Sequence, residues 1–157
     1  MEYKLKLITI IQARNNSKRL PGKVLKKYRD LTYLEILIKR LKKSKLIKKI
    51  IVATTVNTLD DKIEEICDRM NIDCYRGSEN DVIDRYFQAS KLYKSENIVR
   101  ITADCPLIDF YVVDQVIKNF FKENADYSTN TMPPTYPDGF DVEVFNFNSL
   151  FLAWKAS

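Results

Sequence analysis

Residues 11–23 read Ile11-Gln12-Ala13-Arg14-Asn15-Asn16-Ser17-Lys18-Arg19-Leu20-Pro21-Gly22-Lys23, an apolar run that stops and gives way to four cations. Leu5, Leu7, Ile8, Ile10 and Ile11 lead into it without the alternation of a half-exposed strand, so they predict a strand buried on both faces. The polar segment then leaves the strand's carboxyl end, where open α/β sheets bind ligands. Arg14 and Arg19 can fork onto phosphate oxygens, Lys18 and Lys23 act as point charges, and Ser17 offers a hydroxyl and a backbone N–H. That set suits a triphosphate. The plainer alternative is a Pro21-Gly22 turn with solvated cations around it.

Outward from this stretch, strands and helices alternate. Leu34, Leu37, Ile38 and Leu41 recur at helical spacing and predict an amphipathic helix over 33–43. Ile50 to Thr54 is a second buried strand, and Asp60 or Asp61 is expected to cap a helix built on Ile63, Ile66, Cys67 and Met70. Cys74-Tyr75-Arg76 ends a third strand, before a helix on Val82, Ile83, Tyr86, Phe87 and Ala89. Asn97 to Thr102 is a fourth, followed by a helix on Val112, Val113, Val116, Ile117, Phe120 and Phe121 that Asp109 is placed to cap. Strands over 127–130 and 142–145 enclose a Pro-rich loop, and Asn148 is expected to cap a last helix through Trp154. The pattern predicts a three-layer α/β/α fold with a mostly parallel sheet and right-handed crossovers.

Composition narrows the chemistry. At 157 residues and 45% hydrophobic content the chain can bury one core, so 1–157 is read as a single domain. No apolar stretch approaches the ~20 residues that span a bilayer, and the first residues lack a signal-peptide pattern. The expected setting is cytoplasmic, with no membrane partner. Three scattered cysteines and the absence of histidine argue against a zinc site and against His-dependent nucleophilic schemes. Phosphoryl-type transfer suits what remains, because it rests on positioning and charge neutralisation. The net charge of +5 is concentrated in Lys39, Arg40, Lys42, Lys43, Lys45, Lys48 and Lys49. No aromatic residue is interleaved there, so a solvated helix end is expected and not a nucleic-acid surface.

Three further segments can carry chemistry. Asp104 follows the fourth strand in Thr102-Ala103-Asp104-Cys105-Pro106-Leu107-Ile108-Asp109, where an acid can reach a ligand beside the first loop; a helix cap or Asx-turn is the structural alternative. Arg76-Gly77-Ser78 follows the third strand on the same edge, and Arg76 or Ser78 can hydrogen-bond a pyrimidine; alone the triplet also reads as a turn. Asp81, Asp84 and Arg85 open the next helix and are read as structural. Tyr136-Pro137-Asp138-Gly139-Phe140-Asp141-Val142-Glu143 joins a Gly hinge to three acids, with Asp141 and Glu143 on one face of an extended segment. A hairpin turn with a solvated acidic rim is the alternative there.

The Ala-Arg-x-x-Ser-x-Arg-Leu-Pro-Gly-Lys run over 13–23, the Asp-x-Pro-Leu-Ile element at 104–108 and the Tyr-Pro-Asp-Gly-x-Asp-Val-Glu element at 136–143 resemble the cytidylyltransferases that activate sugar acids. The likeness is to the acylneuraminate and 3-deoxy-manno-octulosonate enzymes, and above all to the spore-coat polysaccharide biosynthesis branch. It implies a nucleotide-diphospho-sugar transferase-like fold. It also implies a CTP-dependent enzyme that couples CMP to a sugar acid or related sugar and releases pyrophosphate. Ala13, Arg14, Ser17 and Lys23 would face the nucleotide, and Arg76 and Ser78 would lie at its base. Asp104 would hold Mg2+ on the phosphates, and the 136–143 element would stand beside the acceptor sugar; the resemblance assigns no roles there, but a carboxylate such as Asp141 can assist the acceptor hydroxyl as a general base. Asn16 departs from the small residue frequent in the family. The resemblance stops short of the family's later elements, so a C-terminally truncated domain is expected, with homodimerisation a property of the longer form. Two rival readings are a glycosyltransferase of related fold that uses a nucleotide-sugar, and a non-catalytic nucleotide or nucleic-acid binder.

Overall fold

The computed structural model describes residues 6–16 and 20–157. In chain order its elements are β1 (Leu7–Gln12), β2 (Lys27–Tyr28), β3 (Leu31–Thr32), α1 (Tyr33–Leu41), β4 (Ile50–Thr55), α2 (Asp61–Met70), β5 (Asp73–Gly77), α3 (Val82–Leu92), β6 (Asn97–Thr102), α4 (Phe110–Lys122), β7 (Tyr127–Thr129), β8 (Glu143–Asn146) and α5 (Phe147–Ala156). The main sheet runs β5-β4-β1-β6-β8-β7. β5, β4, β1 and β6 are parallel, while β8 and β7 close the far side as antiparallel strands.

β1 lies inside the sheet because both of its faces are apolar. Ile8 and Ile10 pack with Ile51, Ala53, Ile98, Tyr86, Phe87 and Leu150, beneath α3 and α5. Ile11 packs with Val52, Val99, Ile101, Leu37, Ile63 and Val113, beneath α1, α2 and α4. These are the two outer layers predicted from the alternating pattern. Each fully buried Leu or Ile is worth about 2–5 kcal/mol against truncation to Ala, through lost transfer energy and the cavity left behind.

Local signals explain several element ends. Thr32 starts α1 with a reciprocal capping box: its hydroxyl accepts the Glu35 N–H, and the Glu35 carboxylate accepts the Thr32 N–H. Asp109 caps α4 as expected, accepting from the N–H groups of Tyr111 and Val112. The last helix is capped by Asn146 and not by Asn148, because β8 runs straight into it and Asn146 accepts the Ser149 N–H. The short β2–β3 hairpin has no counterpart in the sequence reading. Its strands are two residues each, and the turn passes through Arg29 at φ 54 without a glycine to announce it.

Register sets the stage for the site. Gln12 lies opposite both Ala53 and Thr102, and Thr55 lies opposite Gly77, so four parallel strands end on one edge. The ladders continue just past the strand ends, with Ala13 N–H donating to Ala53 O at 3.1 Å and Ala103 N–H to Gln12 O at 2.9 Å. Among the described residues, no helix is long and apolar enough to cross a membrane.

Candidate functional site

At the carboxyl ends of β1 and β6, Gln12, Arg14, Lys23, Val24, Thr102, Ala103 and Asp104 line a cavity of about 220 Å³. Arg14 comes directly off β1. Lys23 returns to the same hollow because Gly22 turns the chain at φ 72 and its N–H donates to Asn15 O at 2.9 Å. A single 3-10 turn over Lys23–Leu25 then seats Val24 in the core. Lys23 Nζ donates to Asp104 Oδ2 at 3.1 Å. Three sequence-predicted groups, a guanidinium, an ammonium and a carboxylate, thus share one hollow. Among the described residues the Arg14 guanidinium has no hydrogen bond or ion pair, so it stands ready for an external anion.

Burial pushes the Asp104 carboxyl upward. Hydrogen bonds from Thr102 and Lys23, the Lys23 charge and a backbone N–H outweigh it, and the net result lies below the ordinary carboxylate value. Asp104 is therefore ionised at neutral pH. Asp141 moves the other way, raised first by burial and then by the negative charges of Asp138, Asp104 and Glu143. Asp141 thus lies within reach of the charge on Asp104. Glu143 itself pairs with Arg100 across the β6–β8 ladder, and among the described residues neither Asp141 nor Asp138 has an ion pair.

Asp60 has a different role from the one expected. It sits at the cap position of α2 but makes no capping bond. Its carboxylate, 1% exposed, instead accepts Asn15 N–H at 2.7 Å, Thr55 N–H at 3.2 Å and Thr55 Oγ1 at 2.5 Å. One buried acid thereby ties the loop after β1 to the end of β4, through charge-assisted bonds. A second tie is Glu79, which accepts from Asn16 Nδ2 at 3.2 Å and Asn57 Nδ2 at 3.1 Å. Sequence alone gave only the paired acids Asp60-Asp61 as a hint of the first.

The other predicted positions fall as follows. Ala13 is buried in the core at the cavity's edge. Ser17 lies outside the described residues. Ser78 follows β5, with its hydroxyl accepting Asp81 N–H at 3.1 Å. Arg76 is turned away from the cavity: its Nε donates to Thr55 O, its Nη2 to Asn57 O and Asp61, and its Nη1 to Glu64. The cause is the acidic first turn of α2, which captures the guanidinium against the outer side of β4 and β5. Arg85, read from sequence as a structural residue of a helix start, is fully buried and donates Nη1 to Ser78 O at 2.8 Å.

Part of the basic stretch at the end of α1 is engaged within the protein. Arg40 donates to Ile108 O and faces Asp109, Lys42 reaches Met70 O, and Lys49 pairs with Asp73. A larger hollow of about 800 Å³ between the β2–β3 hairpin, Ile36 and Leu107 is mainly apolar, with Arg29 and Asp30 among its lining, whereas the smaller one gathers Arg14, Lys23 and Asp104. Among the described residues there is no group of three or more metal-ligating side chains.

Comparison with known proteins adds a family to this geometry. Residues 8–157 match the family model described as cytidylyltransferase. An uncharacterized protein of Methanocaldococcus jannaschii is 47% identical over 152 residues, which cover 96% of this chain and 61% of that protein. The spore coat polysaccharide biosynthesis protein SpsF of Bacillus subtilis is 35% identical over 148 residues, covering 92% of this chain and 60% of that protein. The solved structure of a cytidylyltransferase from Leptospira borgpetersenii superposes with a TM-score of 0.93 at 38% identity, covering 98% of this chain and 65% of that one.

Proposed function

The chain belongs to the cytidylyltransferase family, a family of nucleotidyltransferases, and from that premise we propose that it forms the nucleotide-binding part of an enzyme that transfers CMP from CTP to a sugar acid or related sugar. Because the chain spans 61% and 60% of the two curated relatives named above, the acceptor and the complete activity are part of this proposal. The observation that carries it is the convergence of Arg14, Lys23 and Asp104 on one cavity at the sheet's carboxyl edge. The name of the Bacillus relative favours surface-polysaccharide synthesis as the use of the product.

In this reading Arg14 grips the polyphosphate with a planar fork, and Lys23 follows as a mobile point charge. Both offset negative charge at the α-phosphorus as the acceptor oxygen attacks in line and pyrophosphate leaves. Ser17 adds a hydroxyl to the same loop, and Ser78 lies toward the base. Asp141, held above its ordinary pKa, receives the acceptor proton.

A divalent ion fits the donors present. Magnesium takes one or two carboxylates and otherwise substrate phosphates and water, and Asp104 supplies one ionised, 41% exposed carboxylate beside the cavity. When bound, the ion would neutralise phosphate charge and orient the leaving pyrophosphate. The test is pyrophosphate release from the chain, and from a longer form carrying the relatives' remaining length, with CTP and a panel of acidic sugars. Acceptor-dependent release supports the proposal. Absence of nucleotide consumption with every acceptor counts against it, and sugar transfer from a preformed donor without pyrophosphate selects the glycosyltransferase reading.

A further inference from the structure

Among the described residues Arg85 is the largest fully buried side chain, and its guanidinium is only partly satisfied. Nη1 donates to Ser78 O at 2.8 Å, while Nε and Nη2 are buried with no hydrogen-bond partner among the described residues. Those two nitrogens share one edge of the planar group and present parallel N–H donors. A buried cation in this state is costly unless something completes it. The nearby acids do not. The Asp60 oxygens are taken by Asn15 and Thr55, and Asp81 Oδ1 caps α3 by accepting Asp84 N–H at 2.8 Å. Burial and the charge of Arg14 both push the Arg85 pKa down, which puts the two guanidiniums within reach of each other's field.

Position separates their tasks. Arg14 leaves β1, next to the cavity shared with Asp104, whereas Arg85 lies under Gly77-Ser78 at the end of β5. With β4 between them and neighbouring strands about 4.8 Å apart, the two strand ends are separated by roughly 10 Å. A nucleotide whose phosphates sit at Arg14 and Lys23 and whose long axis follows the sheet edge brings its base toward β5. The phosphates have their own cations at the first position, so the second meets the base.

We propose that the unpaired Nε–Nη2 edge of Arg85 reads the base of the nucleotide, donating to the adjacent acceptors O2 and N3 of cytosine, and that this residue, not Arg76, sets the preference for CTP over UTP. The inference rests on the nucleotide reading of the preceding section. Cytosine offers two neighbouring acceptors on that edge; uracil carries a proton on N3 and would face a donor with a donor. A site built to hydrogen-bond one pattern rejects the other, because its buried groups are left unpaired. Gly77 belongs to the same device: a Cβ there would stand 2.8 Å from Tyr75 Cε1 and 3.3 Å from Arg85 Cγ, so glycine lets ring and stem close in. Access to the covered edge requires the 78–80 turn to shift, and Glu79, bound to Asn16 and Asn57, is its tie to the facing loops.

The experiment measures binding of CTP, UTP and inorganic tripolyphosphate, each with Mg2+, to the wild-type chain, Arg85→Lys and Arg85→Gln by calorimetry. Lysine keeps the charge but cannot bridge two acceptors. Both variants are expected to weaken CTP by about tenfold or more, the scale of one bidentate base contact, to bring the CTP/UTP ratio near one, and to leave tripolyphosphate within about twofold. A ratio unchanged in folded variants overturns the assignment, as does an equal loss of tripolyphosphate, which would make Arg85 a phosphate residue. Should both variants unfold, the Arg85 Nε–H resonance of the wild-type chain decides: a shift with CTP and none with UTP supports the inference, and no shift with CTP overturns it. A wild-type chain that binds none of the three ligands overturns the nucleotide reading and the inference with it. One that binds CTP without dependence on Arg85 overturns the inference alone.

Discussion

Lys23 Nζ stands 3.1 Å from Asp104 Oδ2, joining the residue that ends the basic loop to the one that follows β6. The pair holds the two walls of the cavity at fixed separation. In the proposed reading it also keeps both charges partly neutralised until a ligand exchanges partners with them, phosphate for the lysine and a divalent cation for the aspartate.

That exchange predicts that metal binding depends on nucleotide. With a single carboxylate and a lysine against it, the chain alone is expected to take up no measurable Mg2+, whereas CTP and Mg2+ together bind more tightly than CTP alone. Asp104→Asn should abolish the metal's contribution to CTP affinity and leave the metal-free affinity unchanged or higher. Titration calorimetry with and without Mg2+ checks both statements.

Asp60 predicts a coupled loss of stability and loop order. Asp60→Ala leaves Asn15 N–H and Thr55 N–H without their acceptor and removes a buried acid that makes three hydrogen bonds. A cost of about 3 kcal/mol in urea unfolding is expected, with faster hydrogen exchange at the Asn15 amide than at the strand amides of β1. Unchanged exchange at Asn15 would show that the loop holds itself.

Gly77→Ala should be mildly destabilising, by about 1 kcal/mol, because the new methyl forces the Tyr75 ring and the Arg85 stem to yield. The same substitution is expected to lower CTP affinity, since it displaces the side chain under the base. Thermal unfolding and CTP titration of one sample read the two effects.

Asp141 and Asp104 should affect acid stability with opposite signs. The Asp141 pKa is raised above its ordinary 3.8, so the folded state holds that proton more tightly than the unfolded chain. Stability from this group is full below 3.8 and is lost as pH rises through the folded value. Asp141→Asn should therefore stabilise the protein slightly at neutral pH, and the gain should vanish below pH 3.8. Asp104, with its pKa lowered, contributes stability above 3.8 that is lost as pH falls through its folded value, so Asp104→Asn should cost stability at neutral pH. Denaturant unfolding at neutral and acid pH separates the two. If Asp141 is the general base, it also sets an acid limb above pH 3.8 in the rate of transfer, and that limb disappears in Asp141→Asn.

The layered fold was legible because β1, β4 and β6 carry apolar residues on both faces and the helices repeat theirs every three or four positions. Burial in the middle of an α/β sheet demands that pattern, and little else produces it. The cavity was legible for the same reason: strand ends are easy to locate, Arg14 and Asp104 lie two residues past them, and Lys23 closes the basic loop that the Pro21-Gly22 turn folds back. What escaped was the direction of long side chains. Arg76 looked free because the acids that hold it, Asp61 and Glu64, lie on another element. Arg85 read only as part of a structural helix start, since nothing in its spacing announces its burial, and Asp60 looked like a cap although its partners are Asn15 and Thr55. The β2–β3 hairpin escaped because two-residue strands carry no periodicity.

The most direct test of the central claim, that Arg14, Lys23 and Asp104 form one polyphosphate site, is calorimetric titration of CTP with Mg2+ into the wild-type chain and Arg14→Ala. The account predicts affinity weaker by about tenfold or more in the variant, the scale of a charge-assisted hydrogen-bond pair, at an unchanged unfolding midpoint. Equal affinity in the two proteins would contradict it.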